Sequence, residues 1–247
     1  MFRRPEIFEQ FTNLVAAETT RHGGISEKPY TSLNLGLYSG DKKETIIQNR
    51  RILYDALGIG ERRVAHSRQT HSDEVVVATR GKTFQGYDAL VSNRKGVFLS
   101  VTVADCTPIL IYDPVKQAVG AVHAGWRGTV RQITAKALQK MQEEFGTRPE
   151  NCFAYVGTCI DEKNFEVGIE VADEFKPDFK RFDDERQKYL IDLKKANLSQ
   201  LLDCGVPIEN IQVSQYSTIL NNDDYYSFRK EKGNTGRFTT IIGIQPE

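Results

Sequence analysis

The sequence predicts an α+β fold built on mixed β-sheets, and three observations lead to it. Short runs rich in Val, Ile and Thr recur along the chain, bounded by Gly, Pro and Asp. Three amphipathic helical stretches are interspersed among them. Strands and helices do not alternate strictly, as a doubly wound parallel sheet would require. No internal repeat, low-complexity tract or Pro/Gly/Ser-rich linker interrupts the chain, so one domain is expected over residues 1–247. A chain of this length buries roughly three quarters of its unfolded surface and needs neither disulfides nor a metal to hold a core.

Taken in order, the N-terminal region is punctuated by Arg21-His22-Gly23-Gly24 and Asn34-Leu35-Gly36 and reads as irregular. Asp41, with Glu44 three residues on, resembles a capping box. A helix is expected to follow through Ile46, Leu53 and Leu57 and to stop at Gly58. Val75 to Val77, Val97 to Ala104 and Ile109 to Tyr112 read as strands. Ala118 to His123 reads as another, returning after the hairpin-length connection Asp113-Pro114-Val115-Lys116-Gln117. Thr129 opens the second helix, with Gln132 at the capping-box position. Its apolar stripe is Val130, Ile133, Ala137, Leu138, Met141 and Phe145, and Gly146 stops it. Ala154 to Val156 is a strand, Asp192 to Cys204 a helix stopped by Gly205, and Phe238 to Ile244 the last strand.

Composition narrows the function. The 33 basic and 33 acidic residues cancel, which argues against a nucleic-acid partner. Met1-Phe2-Arg3-Arg4-Pro5-Glu6 leads into no long apolar stretch, so neither a secretory signal nor a membrane span is expected. Cys106, Cys152, Cys159 and Cys204 form no CxxC pair. Reduced thiols and a cytoplasmic location are expected.

Three soft-ligand residues lie in distinctive segments: Gln-Thr-His71-Ser, Ala-Asp-Cys106-Thr-Pro and Ala-Val-His123-Ala-Gly-Trp-Arg-Gly. Two imidazoles and a thiolate suit a catalytic zinc site with an open fourth position. The gaps of 35 residues (71 to 106) and 17 residues (106 to 123) exclude a zinc finger and suit ligands gathered from separate strand ends. His123 ends a strand before a glycine-flanked turn and a helix, whose N-terminal N–H groups attract anions. Arg127 beside them could grip a phosphate. The competing reading is a buried histidine bonded to a carbonyl, with Arg127 in a surface ion pair. Cys106 could equally be an inert core thiol, although it interrupts two apolar strands after a charged residue. Asp105 either tunes a neighbouring ligand or caps the break. His71 alone would read as a loop residue, and His22 and His66 have no comparable setting. Four histidines are too few for a multicopper cluster. A blue-copper site needs an axial Met, and the only candidates are Met1 and Met141, the latter on a helix stripe. Zinc is therefore expected, with copper the lesser alternative. No GxxxxGK[ST], GxGxxG, GxSxG, HExxH or deaminase H-x-E…P-C-x-x-C motif is present.

These segments resemble the hallmarks of the YfiH/YlmD-type family, labelled laccase-domain or multicopper polyphenol oxidase proteins. Arg21-His-Gly-Gly-Ile-Ser26, Ser32-Leu-Asn34-Leu-Gly36, Asn49-Arg50-Arg51, Phe165 to Gly168, Tyr226-Ser-Phe-Arg229 and Thr235-Gly-Arg237 extend the likeness over nearly the whole chain. Departures occur at Gly157-Thr158, Asn164-Phe165 and Ser214-Gln215-Tyr216, none of them at a ligand position. The resemblance implies an α/β/β/α arrangement like the catalytic domain of cytotoxic necrotizing factor. It implies zinc held by His71, Cys106 and His123, which would also be the catalytic residues. The implied activity is phosphorolysis of adenosine, inosine, guanosine or methylthioadenosine to base and ribose 1-phosphate, with adenosine deamination beside it. Nucleoside and phosphate would be the partners, with no nucleic acid and no membrane. Arg127 leads as the substrate contact, followed by Arg21, Asn34 and Arg229. Two rivals are a metal-independent cysteine hydrolase or deamidase, with Cys106 as nucleophile and His123 as base, and a copper-dependent polyphenol oxidase. A third, non-enzymatic rival is a small-ligand sensor or partner-binding protein using the same pocket.

Overall fold

The computed structural model describes residues 1–246. The β-branched runs become the strands β1 (Phe2–Arg3), β2 (Leu14–Thr19), β3 (Val64–Arg68), β4 (Val75–Val77), β5 (Thr83–Gln85), β6 (Ala89–Ser92), β7 (Phe98–Val103), β8 (Thr107–Asp113) and β9 (Ala118–Ala124). The second half adds β10 (Phe153–Val156), β11 (Glu166–Val167), β12 (Lys180–Asp183), β13 (Lys188–Ile191), β14 (Ile211–Val213) and β15 (Phe238–Ile244). The helices are α1 (Lys43–Leu57), α2 (Trp126–Val130), α3 (Ile133–Phe145), α4 (Ile169–Ala172) and α5 (Leu193–Asp203).

The strands form two six-stranded sheets, ordered β1-β2-β15-β7-β3-β5 and β14-β10-β8-β9-β6-β4, and a small sheet β11-β13-β12. Both large sheets are mixed: β15 is antiparallel to β2 and β7, whereas β3 is parallel to β5 and β7. In the other, β9 is antiparallel to β6 and β8, whereas β10 is parallel to β14.

Side-chain alternation along each strand sorts the core into layers. Leu110 and Tyr112 of β8 pack with Leu99, Val101 and Ile242 between the large sheets. Ile109 and Ile111 point the other way, onto Ile133, Ala137, Leu138 and Met141 of α3 and Leu201 of α5. On the outer face of the first sheet, Leu53, Tyr54 and Leu57 of α1 cover Ala17, Val64, Phe98 and Ile241. The layer order is helix, sheet, sheet, helix. Covered on both faces, β8 and β9 are buried at every position, and apolar side chains dominate them.

Some local expectations change. Asp41 does not cap α1, whose N-cap position is Lys42. Its carboxylate is drawn into the preceding loop, accepting from Ser26 Oγ, Asn34 Nδ2 and Lys42 N. Thr129 lies inside α2 rather than opening a long helix. The chain breaks at Gln132, in the left-handed region at φ 65°, and α3 begins at Ile133. Thr129 Oγ1 instead accepts a bond from Asn197 on α5. Gly58 and Gly146 do end their helices in left-handed conformations, and Asp192 caps α5 by accepting from Lys195 N. The N-terminal region contains a strand, β2, that sequence reading passes over. It carries the buried Glu18, which accepts from Thr158 N and Oγ1 at 2.8 and 2.6 Å while burial pushes its carboxyl up. Among the described residues, no helix is long and apolar enough to cross a membrane.

The inter-sheet layer sets the stability of the fold. Leu110→Ala, at a fully buried central position, should lower the unfolding free energy in urea by about 2–5 kcal/mol. A loss below about 1 kcal/mol would show that the two sheets do not depend on each other there.

Candidate metal centre and its pocket

The chain passes from the first large sheet to the second three times in succession: from β3 to β4, from β5 to β6 and from β7 to β8. The first passage carries His71, the second Asp88 and the third Cys106. His123 lies near the end of β9, in register with Pro108 on β8, which brings it beside the third passage. The ligand atoms of His71, Cys106 and His123 all lie within 4.8 Å of one another. The two imidazoles meet edge to face, with ring centroids 5.0 Å apart. His123 is buried, Cys106 partly exposed and His71 exposed, so the trio reaches from the interior to the pocket floor. Gly125 closes over it. A Cβ there would stand 2.9 Å from His71 Cδ2 and 3.1 Å from Cys106 Sγ, so a larger residue would displace two of the three groups.

Asp88 is the chemically important residue that sequence reading missed. It is fully buried, and its carboxylate accepts from His123 Nδ1 at 2.7 Å and from His71 N at 3.0 Å. It also accepts from the backbone N–H groups of Thr70 and Ser72 and from Ser72 Oγ. The available sequence signal was a lone acid heading a strand whose following residues, Ala89 to Ser92, are all buried. An acid in such a place needs buried donors.

The charges are mutually supporting. Burial pushes the Cys106 thiol up, but the facing His123 and hydrogen bonds from both histidines outweigh it and bring the thiol down to about 6. Burial pushes His123 down, whereas Cys106 and Asp88 together carry it to about 10. Asp88, raised by burial, is drawn to about 2 by His123 and the N–H groups of Thr70 and Ser72. Two imidazoles and a thiolate with a carboxylate behind one ring form a group that could hold a metal ion.

A cavity of about 390 Å³ opens above the trio. Its walls include Tyr38, Phe165 and Phe228 and the two arginines Arg229 and Arg237. Of the residues singled out in the sequence, His71, Cys106 and His123 come together and Arg229 lines the same cavity. The Arg229 guanidinium lies 5.5 Å from the Phe165 ring and donates to the carbonyls of Asn164 and Glu166. Asn34 is buried behind the wall, accepting from Gly36 N and Arg237 N and donating to Ser39 Oγ. Arg21 is not on the cavity lining; it pairs with Glu231 at 3.0 Å and stacks on Tyr226. Arg127 is exposed, its guanidinium 4.3 Å over the Trp126 ring, and it too is absent from the lining. Asp105 turns away from the ligands. With φ at 86° it sends its carboxylate to Thr218 Oγ1 and Arg229 N, at 2.5 and 2.7 Å. His66 lies apart, bonded to Arg50 and Thr83, and burial with the Arg50 charge holds it at about 4. His22 pairs with Asp224.

Residues 15–245 match the family described as multi-copper polyphenol oxidoreductase laccase. Purine nucleoside phosphorylase YlmD of Bacillus subtilis is 34% identical, over 94% of this chain and 89% of its own. A purine nucleoside phosphorylase of Deinococcus radiodurans is 38% identical, over 92% of this chain and 88% of its own. The crystal structure of YlmD from Geobacillus stearothermophilus superposes with a TM-score of 0.92 at 32% identity, covering 99% of this chain and 96% of that one. The hypothetical protein YfiH of Bacillus licheniformis superposes equally well, at 29% identity over 99% of both chains. The chain belongs to this YfiH/YlmD family.

The thiolate–imidazolium pair has a defined pH window in metal-free protein. The Cys106 contribution is lost as pH falls through about 6, and the His123 contribution as pH rises through about 10. Thiolate ultraviolet absorbance should therefore appear with a midpoint near 6 and be absent in Cys106→Ser. A midpoint at the ordinary thiol value of 9.0 would contradict the pairing.

Proposed function

We propose that this member of the YfiH/YlmD family is a zinc-dependent purine nucleoside phosphorylase. The observation that carries the reading is the His71, Cys106 and His123 donor set at the floor of a cavity walled by aromatic rings and guanidinium groups. The names of the relatives from Bacillus subtilis and Deinococcus radiodurans support the reaction class. The substrates would be adenosine, inosine, guanosine or methylthioadenosine, with conversion of adenosine to inosine as a side activity. The chain would work in the cytoplasm as one catalytic domain, on small molecules and without a nucleic-acid partner.

In the forward reaction the bond from the anomeric carbon to the purine nitrogen breaks, and its electron pair leaves with the base. A phosphate oxygen forms the new bond to that carbon, and the base takes up a proton. Arg229 and Arg237 are the cavity's cations and would balance the phosphate charge. Tyr38, Phe165 and Phe228 offer ring faces to the purine. His71, Cys106 and His123 would hold the ion, which when bound would supply Lewis-acid polarisation. Gln69 fixes the loop before His71 by bridging both backbone groups of Thr102.

One observation favours a second reading. Asp88 completes a row of Cys106, His123 and a carboxylate, the order of nucleophile, base and orienting acid in a cysteine hydrolase. The likeness to cytotoxic necrotizing factor would belong to that reading. A copper-dependent polyphenol oxidase is disfavoured by the supply of four histidines, of which His22 and His66 lie elsewhere.

Two measurements test the phosphorylase. Purified protein should release base from a nucleoside panel only when phosphate is present, with one zinc per chain by elemental analysis, and Cys106→Ala should lose both. Full activity without metal would transfer the chemistry to the cysteine hydrolase, and stoichiometric copper with catechol oxidation to the oxidase. In the same assay Arg237→Ala should raise the KM for phosphate about 10–100-fold, the cost of losing a hydrogen bond to a charged group, with zinc retained. Arg127→Ala serves as the comparison and should leave it nearly unchanged; the reverse pattern would place the phosphate at Arg127.

A further inference from the structure

We propose that Asp88 is the positioning residue of the metal centre, holding the hydrogen on His123 Nδ1 and the backbone of His71 in place before any ion arrives. The inference rests on reading His71, Cys106 and His123 as metal ligands, and its test separates the two.

Residue 88 grips His123 at two points. Its carboxylate takes Nδ1 at 2.7 Å and its carbonyl oxygen takes the His123 backbone N–H at 2.8 Å. The same carboxylate holds His71 N, with Oδ2 accepting from Thr70 N, Ser72 N and Ser72 Oγ at 3.0, 2.8 and 2.8 Å. Five donors thus converge on two oxygens, which leaves no room for a proton on the carboxyl group. The acid is an acceptor only, so the hydrogen must sit on His123 Nδ1. Nε2 is then the nitrogen that gives up its hydrogen as the ion binds and meets it with its lone pair.

His71 needs a different kind of help. It lies at φ 59°, a left-handed conformation that is unfavourable for a non-glycine residue. Three consecutive N–H groups, those of Thr70, His71 and Ser72, point at Asp88 and hold that conformation. One buried side chain therefore fixes the ring of one ligand and the backbone of another, although the two are 52 residues apart in the chain (71 to 123). Asparagine is isosteric but cannot substitute. Whichever way its amide turns, an NH₂ group faces donors, and the charge beside Nδ1 is gone.

The experiment measures zinc affinity by competition with a chromophoric chelator, together with nitrogen-15 and proton spectra of the His123 ring. Zinc should bind Asp88→Asn about 10–100-fold more weakly, the range for lost support behind a ligating histidine. The low-field Nδ1–H resonance of wild type should move upfield. Ser72→Ala removes one donor and touches neither ligand, so its affinity should stay within about twofold of wild type. Unchanged affinity and an unmoved resonance in Asp88→Asn would overturn the proposal. The wild-type spectra decide even if that variant fails to fold: a hydrogen on Nε2 instead of Nδ1 in the zinc-loaded protein overturns it. If wild type binds no zinc, the metal reading falls, and the Nδ1–H resonance of metal-free protein still tests the hold of Asp88.

Discussion

Two stacked sheets that share one chain must exchange backbone, and the exchange is what the rest of the structure depends on. At each passage the chain leaves the hydrogen-bonding ladder of one sheet before it joins that of the other. Its N–H groups lose their strand partners and need others. Three such passages meet at one end of the sandwich, carrying His71, Asp88 and Cys106. Asp88 answers the deficit created at residues 70–72, and the third passage turns at Asp105, with φ 86°, so that Cys106 can face the gap. The chemical groups gather where the chain crosses between the sheets. The apolar contacts between Leu99, Val101, Leu110 and Ile242 keep the passages close together.

The buried carboxylate also explains why a thiol and two imidazoles can share so small a space. A positive ring beside a thiolate is stable only if its other nitrogen has somewhere to place its hydrogen, and Asp88 provides that place without carrying a proton itself. Farther out, Asp105 acts by the same kind of contact on the opposite wall. It holds Thr218 and the backbone of Arg229, tying the C-terminal segment to the turn that presents Cys106.

Strand and helix content was legible because both-face burial forces continuous apolar runs such as Ile109 to Tyr112 and Ala118 to His123, and because Gly58, Gly146 and Asp192 carry local stop and cap signals. The trio was legible because its residue types are rare in this chain. What failed was reading polar side chains as local devices when they serve distant partners. Asp41 looked like a cap and instead takes bonds from Ser26 and Asn34, while Thr129 looked like a helix start and instead bonds Asn197. Arg127 has the right neighbours in sequence for an anion site, yet a nearby tryptophan face holds its guanidinium outside the cavity. Asp88 escaped notice because nothing within several residues of it hints at ligands 17 residues before and 35 residues after (88 to 71 and to 123).

Of the three connections that carry the chain back from the second sheet to the first, the long one, residues 214–237, lines the cavity, and the two short ones are residues 78–82 and 93–97. Thr79, Arg80, Asn93 and Arg94 on them are exposed, and none lines the cavity. The molecule therefore has a pole that carries the chemical groups and a pole that does not. Decorating those four exposed side chains alters surface, whereas Ala78 and Val97 of the same connections are buried in the inter-sheet core and Gly81 packs against the backbone of Arg62 and Arg63. A dye or affinity handle grafted at Thr79, Arg80, Asn93 or Arg94 would report on the protein without entering its chemistry.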